Sequence, residues 1–201
     1  MAGYFEPVGG DERGAAIALD EVEWSILRSV SVQVLELIGP GPEEEEGADP
    51  LAALFAEGPS EPPSDPALAR LFPDAYQTPD GPPDAEGQRL SAEFRRFTEG
   101  DLRTQKRERL LEVVRTLDTA RSTAPTGADG LLLTLRREQS ERWVGALNDI
   151  RLVIGARLEI EDDSTVEKLF ELPDDDPRRP MVLAFLWLGG LLESLVETLL
   201  P

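Results

Sequence analysis

The chain has 201 residues, 20 Lys and Arg against 40 Asp and Glu, no His and no Cys, and a formal net charge of −20. Without thiols there is no disulfide, thiolate nucleophile or Cys-ligated zinc, and without imidazole no Ser-His-Asp triad or His-based metal site. The length suits one domain, and the excess of acid repels phosphate over the average surface, which argues against broad, sequence-independent nucleic-acid binding.

In chain order, Tyr4–Val8 reads as a strand, Gly9-Gly10-Asp11 as a turn and Ala15–Leu19 as the return strand. Asp20 then offers an N-cap with Glu23 as its capping-box partner. Ile26, Leu27, Val30, Val34, Leu37 and Ile38 recur at helical spacing until Gly39-Pro40-Gly41-Pro42 ends the helix. Residues 40–66 hold seven prolines and eight acids with no Lys or Arg. That composition buries too little apolar surface to offset chain entropy, so a disordered Pro/Glu-rich loop is expected at 40–63 within a single domain spanning 1–201. Two short helices are expected there and just after, at Leu51–Phe55 behind Asp49-Pro50 and at Ala67–Phe72 behind Asp65-Pro66. The first is a surface helix or a docking motif.

Asp84–Arg121 reads as helix, with a break near Thr98-Glu99-Gly100. Ala92, Phe94 and Phe97 form one apolar edge before the break, and Leu110, Val113, Val114 and Leu117 another after it. Between them Arg103–Arg109 is polar on every helical face, so it is solvated or contacts something polar. Leu131–Leu135 is a continuous apolar run, read as a buried strand. A helix over 138–158 places Trp143, Leu147, Ile150 and Ile154 on one side. Ser164 and Glu167 form a capping box for a short helix to Leu172. The last helix runs from about Pro180 to Leu200; Glu193 and Glu197 make it costly in a bilayer, so it is expected in the core, with no membrane contact. With no basic n-region or apolar h-region at residues 1–7, a cytoplasmic location is expected. The fold class is mainly α: about four long helices in a bundle, with a small antiparallel β-sheet at the edge.

No phosphate-binding GxxxxGK[ST] run, strand-linked GxGxxG or GxSxG elbow is present. The serines have no His partner, and the only lysines, Lys106 and Lys168, stand in highly charged contexts. Asp162-Asp163 and Asp174-Asp175-Asp176 lack the ligand spacing of a Ca²⁺ loop. No enzyme activity, cofactor or metal site is expected. The basic stretch is the informative one: residues 89–121 hold nine of the chain's 20 basic residues against six acids. Arg95, Arg96, Arg103, Lys106, Arg107 and Arg109 either pair with carboxylates elsewhere in the chain or form a polar contact surface for an acidic partner or nucleic acid. Asn148, Asp149 and Arg151 interrupt an apolar helix and are its exposed side or a buried polar network with the basic helix.

Three blocks carry a resemblance: Asp65–Tyr76, then Ala92–Glu99 with Leu102-Arg103, then Ala146–Leu152. They resemble an actinobacterial family, formerly classed only as a domain of unknown function, that is associated with an oxidative-stress transcriptional regulator; the likeness spans roughly 4–38 and 64–200. The resemblance implies a regulator that contacts an alternative sigma factor, and thereby RNA polymerase, with DNA approached indirectly; the nine residues Arg95 to Arg151 named above, read from charge and spacing, are the expected partner-binding set. Direct DNA binding by the arginines of 95–109 is the alternative. The oligomeric state stays open, a homodimer included. The redox response attributed to that family needs cysteines, and this chain has none.

Overall fold

A computed structural model describes residues 3–9, 14–40, 58–76, 84–125 and 130–200. The fold is mainly α with a three-stranded antiparallel sheet. Strand β1 (Glu6–Val8) pairs with β2 (Gly14–Leu19), Glu6 opposite Ala16, and β2 pairs on its other side with β3 (Leu131–Arg136), Ile17 opposite Leu133. Six helices are described: α1 (Glu21–Ile38), α2 (Pro66–Leu71), α3 (Ala85–Thr123), α4 (Arg137–Arg157), α5 (Asp163–Phe170) and α6 (Arg179–Leu199).

Local chemistry sets most boundaries. At the start of α1 the Asp20 carboxylate accepts the Glu23 N–H at 2.8 Å, and the Glu23 carboxylate accepts the Asp20 N–H at 2.9 Å, the expected reciprocal cap. Gly39 ends the helix at φ 86°, a left-handed conformation that disfavours any side chain. Asp65 caps α2 through the N–H groups of Ala67 and Leu68, with Pro66 at the first helical position, where its missing N–H is no loss.

One core joins these elements. The inner face of the sheet presents Ala15, Ile17, Leu19, Leu133 and Leu135, and α4 lays Trp143, Leu147 and Ile150 beneath it, all buried. Phe5 meets Trp143 edge-on, centroids 6.1 Å apart at 80°, and its N–H donates to Ser194 Oγ at 3.1 Å. By length and composition α6 is the one helix among the described residues apolar enough to cross a membrane. It instead packs along α4 and over β1 and β2, burying Leu188, Leu191 and Leu195.

Several expectations are corrected. The helix over 84–121 does not break at Thr98-Glu99-Gly100: α3 is continuous for 39 residues, because side-chain pairs four residues apart span that point. The apolar edge expected from Ala92, Phe94 and Phe97 is not the buried side of the helix: Phe94 and Phe97 are exposed, and the buried stripe is Ser91, Arg95 and Glu99. Strand β3 is not covered on both faces, since Leu132 is 73 % exposed while Leu131, Leu133 and Leu135 are buried. Asp162, not Ser164, caps α5, because its carboxylate accepts both the Thr165 N–H and the Ser164 hydroxyl, and the helix stops at Phe170 instead of Leu172. The strand expected from Tyr4 begins at Glu6. Gly10 and Asp11 of the expected turn, the Leu51–Phe55 helix and residues 41–57 of the expected disordered loop lie outside the described residues. The described end of that loop is docked: the Gly58 N–H donates to Arg96 O at 2.9 Å.

Trp143 is fully buried and Phe97 is 71 % exposed. Trp143→Ala should therefore cost ~3–5 kcal/mol in urea unfolding, whereas Phe97→Ala should stay within about 0.5 kcal/mol of the parent. Equal losses at the two positions would contradict this assignment of core and surface.

Candidate partner-binding site

The first half of α3 is amphipathic in reverse, its charged stripe inside and its aromatic stripe outside. The inside stripe works because every charge has a partner. Arg95, 4 % exposed, donates from Nη1 to Glu99 and from Nη2 to Asp74 Oδ1 at 2.8 Å and Phe72 O at 3.0 Å. Glu99 Oε1 also accepts from Arg103 Nε at 2.9 Å and Nη2 at 2.7 Å. Two guanidinium groups thus share the buried Glu99 carboxylate, and Asp74 adds a second negative charge. Charges this deep are tolerated only with such pairing.

The same arginines terminate α1. That helix has no basic residue in its own last turn. Arg103 Nη1 donates to Ile38 O at 2.8 Å, Arg107 donates to Gly39 O, and the Arg103 guanidinium lies 4.5 Å from the centroid of the Phe72 ring. Cations supplied from α3 therefore satisfy carbonyls at the negative end of the α1 dipole. One turn along, Lys106 Nζ reaches Asp149 Oδ1 of α4 at 2.6 Å, both largely buried. Arg109 lies flat on Gly145, where an added Cβ would come within 2.9 Å of its guanidinium. The polar stretch 103–109 is thus not a solvated turn but a seam between α1, α3 and α4.

Away from the charged stripe α3 exposes Phe97 and, at its flank, Phe94; Leu102, on the stripe's own side one turn past Glu99, is partly exposed. Phe94, Thr98 and Leu102 rim a shallow depression floored by Phe72, Pro73 and Ala75. Around the corner, a groove of about 800 Å³ opens between α2, Arg95 of α3, and α4. Arg70, Asp74, Asn148 and Arg151 line it with Phe185 of α6, whose ring centroid lies 4.9 Å from the Arg151 guanidinium carbon. The blocks 65–76, 92–103 and 146–152 meet at this corner of the molecule.

The structure divides the nine expected partner-binding residues. Asn148 is exposed on the groove wall, and Arg151 is half-buried beside it. Arg95, Lys106 and Asp149 are not surface groups, because their charges are consumed in internal pairs. Arg103 and Arg107 are half-buried and tied to the α1 carbonyls, Arg109 is half-buried on Gly145, and Arg96 is half-buried with its carbonyl bound by Gly58. Sequence reasoning did not place Phe94 and Phe97 at the surface. The signal was present in the spacing: Ser91, Arg95, Glu99 and Arg103 recur every fourth residue, a polar stripe that pairs along its own length and can turn inward.

Among the described residues no group of three or more acidic side chains is placed to hold a metal ion. The chain matches the family described as "Domain of unknown function (DUF2017)" over residues 3–199, and it belongs to that family. No curated protein and no solved structure matches it.

Burial pushes the Asp149 carboxyl above its usual range, and the Lys106 ammonium opposes that shift; Asp149 Oδ2 has no hydrogen-bond partner among the described residues. Lys106→Met should leave a buried, uncompensated carboxylate and cost ~3–5 kcal/mol at neutral pH. A carboxyl whose folded-state pKa is raised favours folding in its acid form. That contribution is complete below the unfolded value near ~3.9 and is lost as pH rises through the folded value. Removing Lys106 raises the folded value further, so the deficit of the variant should shrink as pH falls from neutral toward that lower limit. Urea unfolding across this range checks the sign, and adding Asp149→Asn should recover most of the loss at neutral pH.

Proposed function

We propose that this chain is a non-enzymatic cytoplasmic regulator that binds a protein of the transcription apparatus, an alternative sigma factor or RNA polymerase itself, through the corner formed by the outer face of α3 and the adjoining groove. The observation that carries this reading is the exposed pair Phe94 and Phe97, one turn apart on a helix whose inward face is already filled by an ion network. Large aromatics held in the open beside a polar groove are the composition of a protein contact: aromatic anchors at the centre, polar groups at the rim. The sigma factor or polymerase as partner comes from the resemblance of the blocks that converge here.

Direct DNA binding through the arginines of 95–109 draws less support. Arg95, Arg103 and Lys106 are neutralised by Glu99, Asp74 and Asp149, and the chain as a whole carries −20. Little uncompensated positive charge remains there to release counterions from a duplex.

Phe94→Ser with Phe97→Ser should leave the melting temperature within a few degrees of the parent. It should weaken binding to the cognate sigma factor or holoenzyme at least tenfold, ~1.4 kcal/mol, in a direct titration. Affinity should change little as salt is raised. Unchanged affinity in the double variant, or a steep inverse dependence on salt with promoter DNA alone, would overturn this reading.

A further inference from the structure

The groove between α2 and α4 sorts its charges by position, because the two helices run antiparallel. At the start of α2, Asp65 Oδ2 accepts from Arg157 Nη2 at 2.7 Å, and Arg157 is the last residue of α4. Just past its end, Phe72 lies level with Asp149, since Lys106 Nζ reaches both: it is 2.6 Å from Asp149 Oδ1 and 6.0 Å from the Phe72 ring centroid. Arg70, two residues before Phe72, therefore stands abreast of Arg151, and both line the groove with Asn148. Glu159 and Glu161 line it too, but beyond the end of α4. Glu159 is eight residues past Arg151, about 12 Å along the axis at ~1.5 Å per residue. The remaining charged lining groups, Asp74 and Arg95, cancel. They pair with each other at 2.8 Å, and Glu99, shared by Arg95 and Arg103, completes a set of two cations and two anions. One end of the groove is thus cationic and the other anionic.

The cationic end lacks an acceptor. Arg70 and Arg151 have no carboxylate partner among the described residues, although acids outnumber bases 40 to 20 in the chain. Arg151 is nevertheless held in place by α6. Its guanidinium carbon lies 4.9 Å from the Phe185 ring centroid, and a Cβ added at Gly189, one turn on, would stand 3.7 Å from its Nε. That Nε is buried with no hydrogen-bond partner. The terminal nitrogens are not buried and have no partner among the described residues, so they are the ones offered to the groove. A guanidinium fixed by packing and left without an acceptor is prepared for a carboxylate, which takes two parallel N–H···O bonds at little ordering cost to the arginine. At the other end Glu161 has no partner among the described residues. Glu159 feels the charge of Arg178, but Arg178 is itself bonded to Asp176 at 3.0 Å.

We propose that this groove seats one extended segment of the partner protein that carries an acidic and a basic residue four positions apart. The acidic side chain lies between Arg70 and Arg151 with Asn148 beside it, and the basic one reaches Glu159 and Glu161. Four residues of extended chain at ~3.3 Å each span about 13 Å, which matches the separation of the two ends. A uniformly acidic segment is repelled at one end and a uniformly basic one at the other, and a nucleic-acid backbone fails for the first reason. The proposal rests on the partner-contact reading of this corner and names the chemistry recognised there.

The test titrates acetylated and amidated ten-residue peptides into the full chain. One carries Glu and Lys four residues apart in a neutral background; others have Gln for the Glu, Gln for the Lys, or two like charges. The Glu/Lys peptide should bind, either Gln peptide at least fivefold more weakly, and the like-charged peptides at least tenfold more weakly. Arg151→Gln should erase the preference for Glu over Gln and leave the preference for Lys over Gln. Glu159→Gln with Glu161→Gln should do the converse, a crossed pattern that general damage to the fold does not give. Should Arg151→Gln fail to fold, the exposed Arg70→Gln supplies the same arm and should reduce the preference for Glu at least threefold. No binding of the Glu/Lys peptide at ~1 mM, equal affinities across the set, losses that do not cross, or acetate binding as tightly as the peptide would overturn the proposal. The Phe94→Ser, Phe97→Ser titration decides the partner-contact reading separately: loss of partner binding there, with no discrimination among these peptides, would sink this proposal alone.

Discussion

The sharing of the buried Glu99 carboxylate by Arg95 and Arg103 holds α3 against the end of α1 and the segment after α2. A network of this kind adds little net stability, because desolvating the ions cancels much of their attraction. Its effect is on orientation. Rotating α3 to bury Phe94 and Phe97 would gain apolar burial. It would also expose the stripe of Ser91, Arg95 and Glu99, release Asp74 and the Phe72 carbonyl, and strip the last carbonyls of α1 of their donors. The network therefore fixes which way the helix faces, and the aromatic row is outside as a consequence. It joins three elements far apart in the chain: the end of α1, the segment after α2, and α3 itself.

Charge runs through the fold in a consistent pattern. An excess of 20 negative charges leaves few cations to place. Several of them go where an anion or a carbonyl would otherwise be buried alone: Arg95 at Glu99, Arg103 and Arg107 at the end of α1, Lys106 at Asp149. The more exposed pairs follow the same logic at lower stakes. Hydrogen bonding to Arg28 and to Arg157 holds the Asp118 and Asp65 carboxyls below their usual range, and solvent screens what these pairs contribute.

Much of the fold was legible in the sequence, and the reasons are local. The Asp20–Glu23 box, Gly39, Asp65-Pro66 and the spacing of Trp143, Leu147 and Ile150 each act through residues within one or two turns, so their meaning is carried by adjacent letters. What misled was the assumption that apolar means inward. Ala92, Phe94 and Phe97 read as one apolar edge and Leu131–Leu135 as a buried strand, and in both the tertiary partners decide otherwise. Arg95 finds Asp74 and the Phe72 carbonyl 21 and 23 residues away, a pairing no window along α3 can show. Leu132 is outside because alternation within a strand overrides composition once one face is filled by Leu131, Leu133 and Leu135. For the candidate site, the sequence leaves internal pairing and partner contact both open; the fold puts Arg95, Lys106 and Asp149 in internal pairs and leaves Asn148 and Arg151 on the groove wall.

The absence of a break at Thr98-Glu99-Gly100 bears on how the surfaces along α3 relate. The Phe97 face and the groove between β3 and α3 lie on one unbroken helix, with Thr116, on the groove wall, 19 residues beyond Phe97. At ~1.5 Å per residue that is about 28 Å along the axis. A hinge at Gly100 would have let the two surfaces move independently. Instead the helix is pinned on both sides of that glycine, by Glu99 to Arg95 and Arg103 and by Lys106 to Asp149, so the spacing between the surfaces is set by the helix itself. A partner that engaged both would have to span a fixed distance, and for the contact proposed at the Phe97 face a helix held this way would add little ordering cost.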